Sequence, residues 1–117
     1  MKTIAFIAAL FVGVLHVGIL VLEMFFWDHP VGREIFDMTA VESASSAVLA
    51  MNQGLYNGFL AAGIFWGLFA GKRDVVLFFL GCVVVAGVFG AATAKPTILF
   101  TQAAPAVLAF LLTLRFR

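Results

Sequence analysis

The sequence predicts an all-α fold: an integral membrane four-helix bundle with both termini cytoplasmic. Three observations lead there. Apolar residues make up 64% of the 117 residues and charged residues 11%, against roughly 45–50% and about 25% in an ordinary soluble domain. Four long apolar segments alternate with short charged connections. The basic residues gather on one side of the topology those segments define. A soluble chain of this size could not hide so much apolar surface, because small domains leave a large share of their surface exposed. A bilayer removes that requirement, and residues 1–117 read as a single membrane domain.

A spanning helix needs roughly 20 mostly apolar residues. The first candidate, residues 4–27, is interrupted only by His16 and Glu23. It reads as a span rather than a signal peptide, because its apolar run is about twice the usual 7–15 residue core and carries Glu23. The connection "DHPVGREIFDMTAVE" follows, with Pro30 placed where a helix stops or restarts.

The second candidate, residues 45–70, contains the polar stretch "MNQGLYNGFL" from Met51 to Leu60. Were that stretch a loop, the apolar remainder from Gly58 to Ala70 would be about 13 residues, too short to span. Span length therefore makes Met51–Leu60 intramembrane helix. Its start is marked by Thr39 and Glu42, spaced as a capping box, with Ser43, Ser45 and Ser46 in the first turns. The third candidate, residues 75–93, holds no charge. The fourth, residues 97–114, is apolar apart from its threonines and Gln102. Pro105 inside it predicts a kink that frees the carbonyl of Thr101.

Four spans put both termini on one side with Lys2, Lys72, Arg73, Arg115 and Arg117. The other side holds Arg33 and Lys95 together with Asp28, Glu34, Asp37 and Glu42. The excess of Lys and Arg marks the first side as cytoplasmic. The expected location is therefore the cell membrane, plasma or inner, crossed several times, with the long acidic connection outside.

The helical rise of about 1.5 Å per residue estimates depth. His16 falls near the midplane of the first span and Glu23 about 11 Å further out. Seven residues apart, they share a face that Trp27 continues. On the second span Asn57 lies near the middle, and Asn52 and Gln53 lie in the outer half. Gln53, Tyr56 and Asn57 share a face that Glu42 extends outward. Thr93 ends the third span, and Gln102 lies in the outer half of the fourth. A polar group facing lipid is costly, about 2.5–3.5 kcal/mol for a central charge on translocon scales. The expected arrangement turns these groups inward around an outward-facing polar pocket. His16, Glu23, Trp27, Glu42, Asn52, Gln53, Tyr56, Asn57, Thr93 and Gln102 would line it.

Each of these residues also has a structural reading. His16 can fasten helices through a hydrogen bond or carry a proton as acid or base. Glu23 can snorkel to headgroups, or serve a ligand as an intramembrane carboxylate. No Lys or Arg lies inside a span, so amides and hydroxyls are its expected partners. Small residues spaced by four, at Gly63, Gly67 and Gly71, at Ala86 and Gly90, and at Gly87 and Ala91, suit close helix contact either within the chain or at a homodimer seam.

Several classes are excluded or disfavoured. A net charge of +1 with no basic patch on a domain gives nucleic acid nothing to bind. Cys82, the single cysteine, lies in an apolar run as a small hydrophobe. No metal site is expected, since neither His-x-x-x-His nor Glu-x-x-His occurs. No cofactor is expected, because phosphate-binding and nucleophile-elbow motifs are missing.

Three functions stay open. The first is binding or movement of a small polar or amphipathic ligand. The second is acid/base catalysis by Glu23 and His16 on a lipid-like substrate, isomerase-like, a fold-level analogy. The third is a structural or assembly role. The lipid bilayer is the partner common to all three.

Taken in order, these residues resemble the family of small four-span membrane proteins known as domain of unknown function 1304. The matching pieces are His16 with Glu23 and Trp27, "NQGLYNGFLAAG" at Asn52–Gly63, "GVFGAAT" at Gly87–Thr93 and "QAAPAVLA" at Gln102–Ala109. The Asn-Gln-Gly-x-Tyr-Asn segment is the most specific, and the resemblance covers essentially the whole chain. It implies four spans and a polar set that belongs together, and it implies no particular activity.

Overall fold

The computed structural model describes residues 1–117, all in helices and short turns without a β-strand. Helix α1 runs Lys2–Phe25, α2 Pro30–Ile35, α3 Ala40–Phe69 and α4 Arg73–Thr93; a π-helical segment, Leu99–Ala103, leads into α5, Ala104–Phe116. Three helices are long and apolar enough to cross a membrane: α1, α4 and the continuous segment Leu99–Phe116. Helix α3 is the longest at 30 residues. Its serines and amides dilute its apolar character, and it is not among those three.

The stretch Met51–Leu60 is helical throughout and lies in the interior of α3. The capping box read at Thr39 and Glu42 is formed in both directions. The Glu42 amide donates to Thr39 Oγ1 (3.1 Å), and the Thr39 amide donates to Glu42 Oε1 (3.4 Å). Two elements differ from the sequence reading. Helix α1 ends at Phe25, so Trp27 lies past its end in a turn. The long connection contains α2, which starts at Pro30 behind an N-cap: His29 Nδ1 accepts from the Val31 amide at 3.1 Å.

The chain forms two compact units, residues 15–59 and residues 1–14 with 60–117. In the larger unit, four helices contribute to one buried apolar cluster. Ala9 and Val12 come from α1, Ile64 and Leu68 from α3, Leu80 and Val83 from α4, and Ala106 and Ala109 from α5. Small residues set the closeness of these contacts. A methyl group at Gly67 would meet Val76 and one at Gly87 would meet Ala103, each within 2.8 Å. Gly63 abuts the Phe79 ring. The stripes at Gly63, Gly67 and Gly87 are thus occupied within the chain.

Gly71 takes φ +66°, the left-handed conformation in which glycine carries no Cβ penalty. It closes α3 in a Schellman turn, with Lys72 N–H donating to Gly67 O (2.8 Å) and Gly71 N–H to Leu68 O (3.4 Å). Where a kink was expected at Pro105, the helix has a π-helical turn just before the proline. The Ala104 amide donates to Leu99 O, five residues back.

In the smaller unit, the end of α1, the short α2 and the first two thirds of α3 pack together. Gly32 of α2 sits directly on the Phe26 and Trp27 carbonyls, leaving no room for a side chain. Asp28 accepts from Arg33 Nη1 (2.9 Å) and from the fully buried Ser43 Oγ (2.8 Å). That network ties the turn, α2 and the first turn of α3 to one carboxylate. Asp37 adopts φ 54° and ends α2 in a second Schellman-type turn, with Met38 N–H donating to Arg33 O at 2.9 Å.

Candidate functional site

The site sits in the smaller unit, where α1 and α3 touch. Helix α3 buries a stripe of small residues, Ser43, Ala50 and Gly54, with Ala47 and Gly58 half-buried beside it. Their spacing of three, four and seven keeps them on one face. Without bulky side chains, that face lets α1 approach. A Cβ at Gly54 would lie 3.2 Å from the Leu20 carbonyl oxygen and 3.3 Å from Glu23 Cβ, and one at Gly58 would lie 2.6 Å from Leu20 Cδ1. The Gly54-x-x-x-Gly58 spacing is the signal that locates this crossing in the sequence. It is the same small-xxx-small pattern read at Gly63–Gly71 but left unread here.

This approach places the half-buried Glu23 against the half-buried Asn57, and Asn57 Nδ2 donates to Glu23 Oε1 at 2.5 Å. The two residues are 34 apart in sequence. No basic side chain bonds Glu23, because the one ion pair of the chain is Arg33–Asp28 in the connection. An ionised carboxylate offers about four acceptor positions, of which the amide uses one.

One layer further along, Trp27 Nε1 donates to Ser46 Oγ (2.9 Å), whose hydroxyl donates to Glu42 O (2.6 Å). The Trp27 ring leans on Phe36 with centroids 4.8 Å apart. Trp27 is therefore a fastener between the turn after α1 and α3.

The remaining sequence candidates are placed as follows. Gln53 and Tyr56 lie on the exposed face of α3, beside Asn57 in helical register, with Tyr56 54% accessible and its ring 6.2 Å from Phe59. Asn52 is exposed, and its amide returns to Val48 O of the same helix (3.2 Å). Glu42 is exposed and engaged in the capping box. His16 is completely buried on α1, about 10.5 Å of rise from Glu23. Thr93 and Gln102 belong to the larger unit. Thr93 Oγ1 donates to Phe89 O (2.7 Å), and Gln102 sits half-buried in the π-helical turn. The structure thus joins Glu23 to Asn57 and Trp27 to Ser46. Two open grooves, of about 540 and 620 Å³, are walled by apolar side chains and include none of these candidates. No group of His, Cys, Asp and Glu side chains is arranged to hold a metal ion.

The class these features define is an all-helical protein with three helices long and apolar enough to cross a membrane and an amide-held carboxylate between one of them and the 30-residue α3. The chain belongs to the family described as "Protein of unknown function (DUF1304)", which matches residues 10–114. It is similar to "Uncharacterized protein YpaA" of Lactococcus lactis subsp. lactis (strain IL1403). The two are 28% identical over 115 residues, covering 95% of this chain and 97% of that one. No solved structure matches.

Proposed function

We propose that this chain is a four-span protein of the plasma or inner membrane, a helical bundle with both termini cytoplasmic. In this reading it binds, or moves, a small polar or amphipathic ligand at the Glu23–Asn57 pair from the outer side. Support for the fourth span comes from α3 itself. It is one continuous helix of 30 residues, about 45 Å long, against a hydrocarbon core of about 30 Å. Gly54 and Gly58 let α1 come close midway along it, and Gly63 and Gly67 do the same for α4 further on.

One observation carries the ligand reading. Glu23, the one carboxylate of α1, is held by a single amide and by no cation. An intramembrane carboxylate marks a functional site by default. Its unused acceptor positions suit an ammonium or hydroxyl group.

Native mass spectrometry of the protein released from detergent tests this. Wild type and a Glu34→Gln control should retain a co-purified small molecule that Glu23→Gln loses. Identical adduct patterns in all three would refute the reading. The Gly54–Gly58 crossing favours a second reading, in which the pair only fastens the helices. In that reading the adduct pattern stays constant in Glu23→Gln, and Asn57→Leu lowers stability.

A further inference from the structure

The larger unit carries a groove between α1 and α5 that the ligand reading does not use. Its floor is built of small residues, Ala8 of α1 with Ala104 and Pro105 of α5, and its rims of Ile7, Phe11 and Leu108. Small residues beneath bulky rims make a channel where an evenly packed helix pair would present a ridge. From Ala104 to Leu112 it follows α5 for about 12 Å, close to the depth of one leaflet, half of a core of about 30 Å.

What stands at its end is basic. Leu108, Leu112 and Arg115 are spaced by four and three, so Arg115 continues the same stripe of α5 that lines the groove. Arg115 is exposed, pairs with no carboxylate, and has its guanidinium 5.2 Å from the centre of the adjoining Phe116 ring. The neighbouring cations are directed elsewhere. Arg117 sits over the Phe6 ring (5.6 Å), on the face of α1 turned away from the groove, and Arg73 donates to Leu114 O (3.0 Å). A guanidinium matches phosphate geometry with two parallel hydrogen bonds. An apolar groove whose α5 stripe runs on to a guanidinium without a carboxylate partner matches one molecule, a phospholipid lying along the protein.

We infer that the α1–α5 groove is a binding site for an anionic phospholipid of the cytoplasmic leaflet, its acyl chain along Ala8, Ala104 and Leu108 and its phosphate on Arg115. The surrounding Lys2, Arg73 and Arg117 add a positive field that selects lipids of net negative charge over zwitterionic ones. The inference rests on the membrane-spanning part of the proposed function and is independent of the ligand at Glu23.

The test uses the whole protein in mild detergent, with dioleoylphosphatidylglycerol or dioleoylphosphatidylcholine added and bound lipid counted by native mass spectrometry. Phosphatidylglycerol should occupy one site at least ten-fold more tightly than phosphatidylcholine. Arg115→Gln should weaken it ten-fold or more. Arg117→Gln, which removes the same charge from the same end, should weaken it no more than about five-fold, the effect of one charge near a lipid surface. Ala104→Leu fills the floor from an exposed position and should reduce occupancy with both charges in place. Equal losses in Arg115→Gln and Arg117→Gln would overturn the site in favour of a diffuse field. So would full occupancy in Ala104→Leu, or a second protein chain in place of lipid. Carbonate washing of the membrane fraction separates the two levels. Protein that washes off removes the spanning reading and this inference together, whereas protein that stays without selecting phosphatidylglycerol removes this inference alone.

Discussion

Gly54 and Gly18 are both interior helical glycines of the same unit, and alanine should change stability in opposite directions at the two. A Cβ at Gly18 meets nothing within 4 Å. Gly18→Ala therefore gains only the reduced conformational freedom of the unfolded chain and should stabilise by about 0.5–1 kcal/mol. At Gly54 the same methyl group would lie 2.5 Å from Met24 Cγ, 3.2 Å from the Leu20 carbonyl oxygen and 3.3 Å from Glu23 Cβ. The methionine can swing aside. The carbonyl and the Cβ are fixed to α1 and can move only with the helix. Overpacking of this kind costs about 1–3 kcal/mol. Set against the same gain of about 0.5–1 kcal/mol, the net loss for Gly54→Ala is up to about 2.5 kcal/mol.

The protein holds two tryptophans. Trp27 lies in the smaller unit, bonded to Ser46, and Trp66 lies in the larger. In a Trp66→Phe background, Trp27 fluorescence reports this unit alone during denaturation by sodium dodecyl sulfate from mild detergent. The expected midpoint order is Gly18→Ala above the parent and Gly54→Ala below it. A Gly54→Ala midpoint at or above that of Gly18→Ala would refute the close α1–α3 crossing, and with it the geometry that brings Glu23 to Asn57.

Two further outcomes follow from the same contacts. Asn57→Leu strips the half-buried Glu23 of its observed donor and should cost about 1–3 kcal/mol, whereas Glu23→Gln keeps an acceptor for the Asn57 amide and should cost less than about 1 kcal/mol; equal losses in the denaturation midpoints would show that the amide is not the partner that matters. Gly71→Ala should cost about 1–2 kcal/mol by forcing a Cβ into the left-handed turn, while Asp37→Gly should gain up to about 1 kcal/mol by relieving the same strain; thermal melts of the two variants that shift in the same direction would contradict these assignments.

The residues that read correctly in the sequence are those governed by local rules. Thr39 and Glu42 are three apart and bond each other's backbone, so their spacing alone identified the start of α3. Pro105 was expected to kink the helix, and the structure has a π-helical turn just before it. The helicity of Met51–Leu60 followed from how few residues would remain if it were a loop. An amide partner for Glu23 followed from the lack of basic residues in the apolar segments.

Other features were hidden because they depend on which surfaces meet. Helical period put Gln53, Tyr56 and Asn57 on one face, with Asn52 at a similar outer depth, all turned toward one pocket. The fold separates them, with Asn57 at the crossing, Gln53 and Tyr56 exposed and Asn52 turned back on its own helix. Trp27 reads as a continuation of the α1 stripe, yet α1 ends before it, and the indole is claimed by Ser46 and Phe36.

The sequence by itself therefore determined that the chain is all-helical, that α3 starts at the Thr39–Glu42 capping box, and that a carboxylate stands inside an apolar segment. Span length, caps and breakers act within a few residues of each other and need no partner. Only the tertiary structure decided that Glu23 meets Asn57 across 34 residues, and that Gly54 and Gly58 are the reason. Helical period says which residues share a face. Which face is buried depends on the neighbour that can come close enough to cover it.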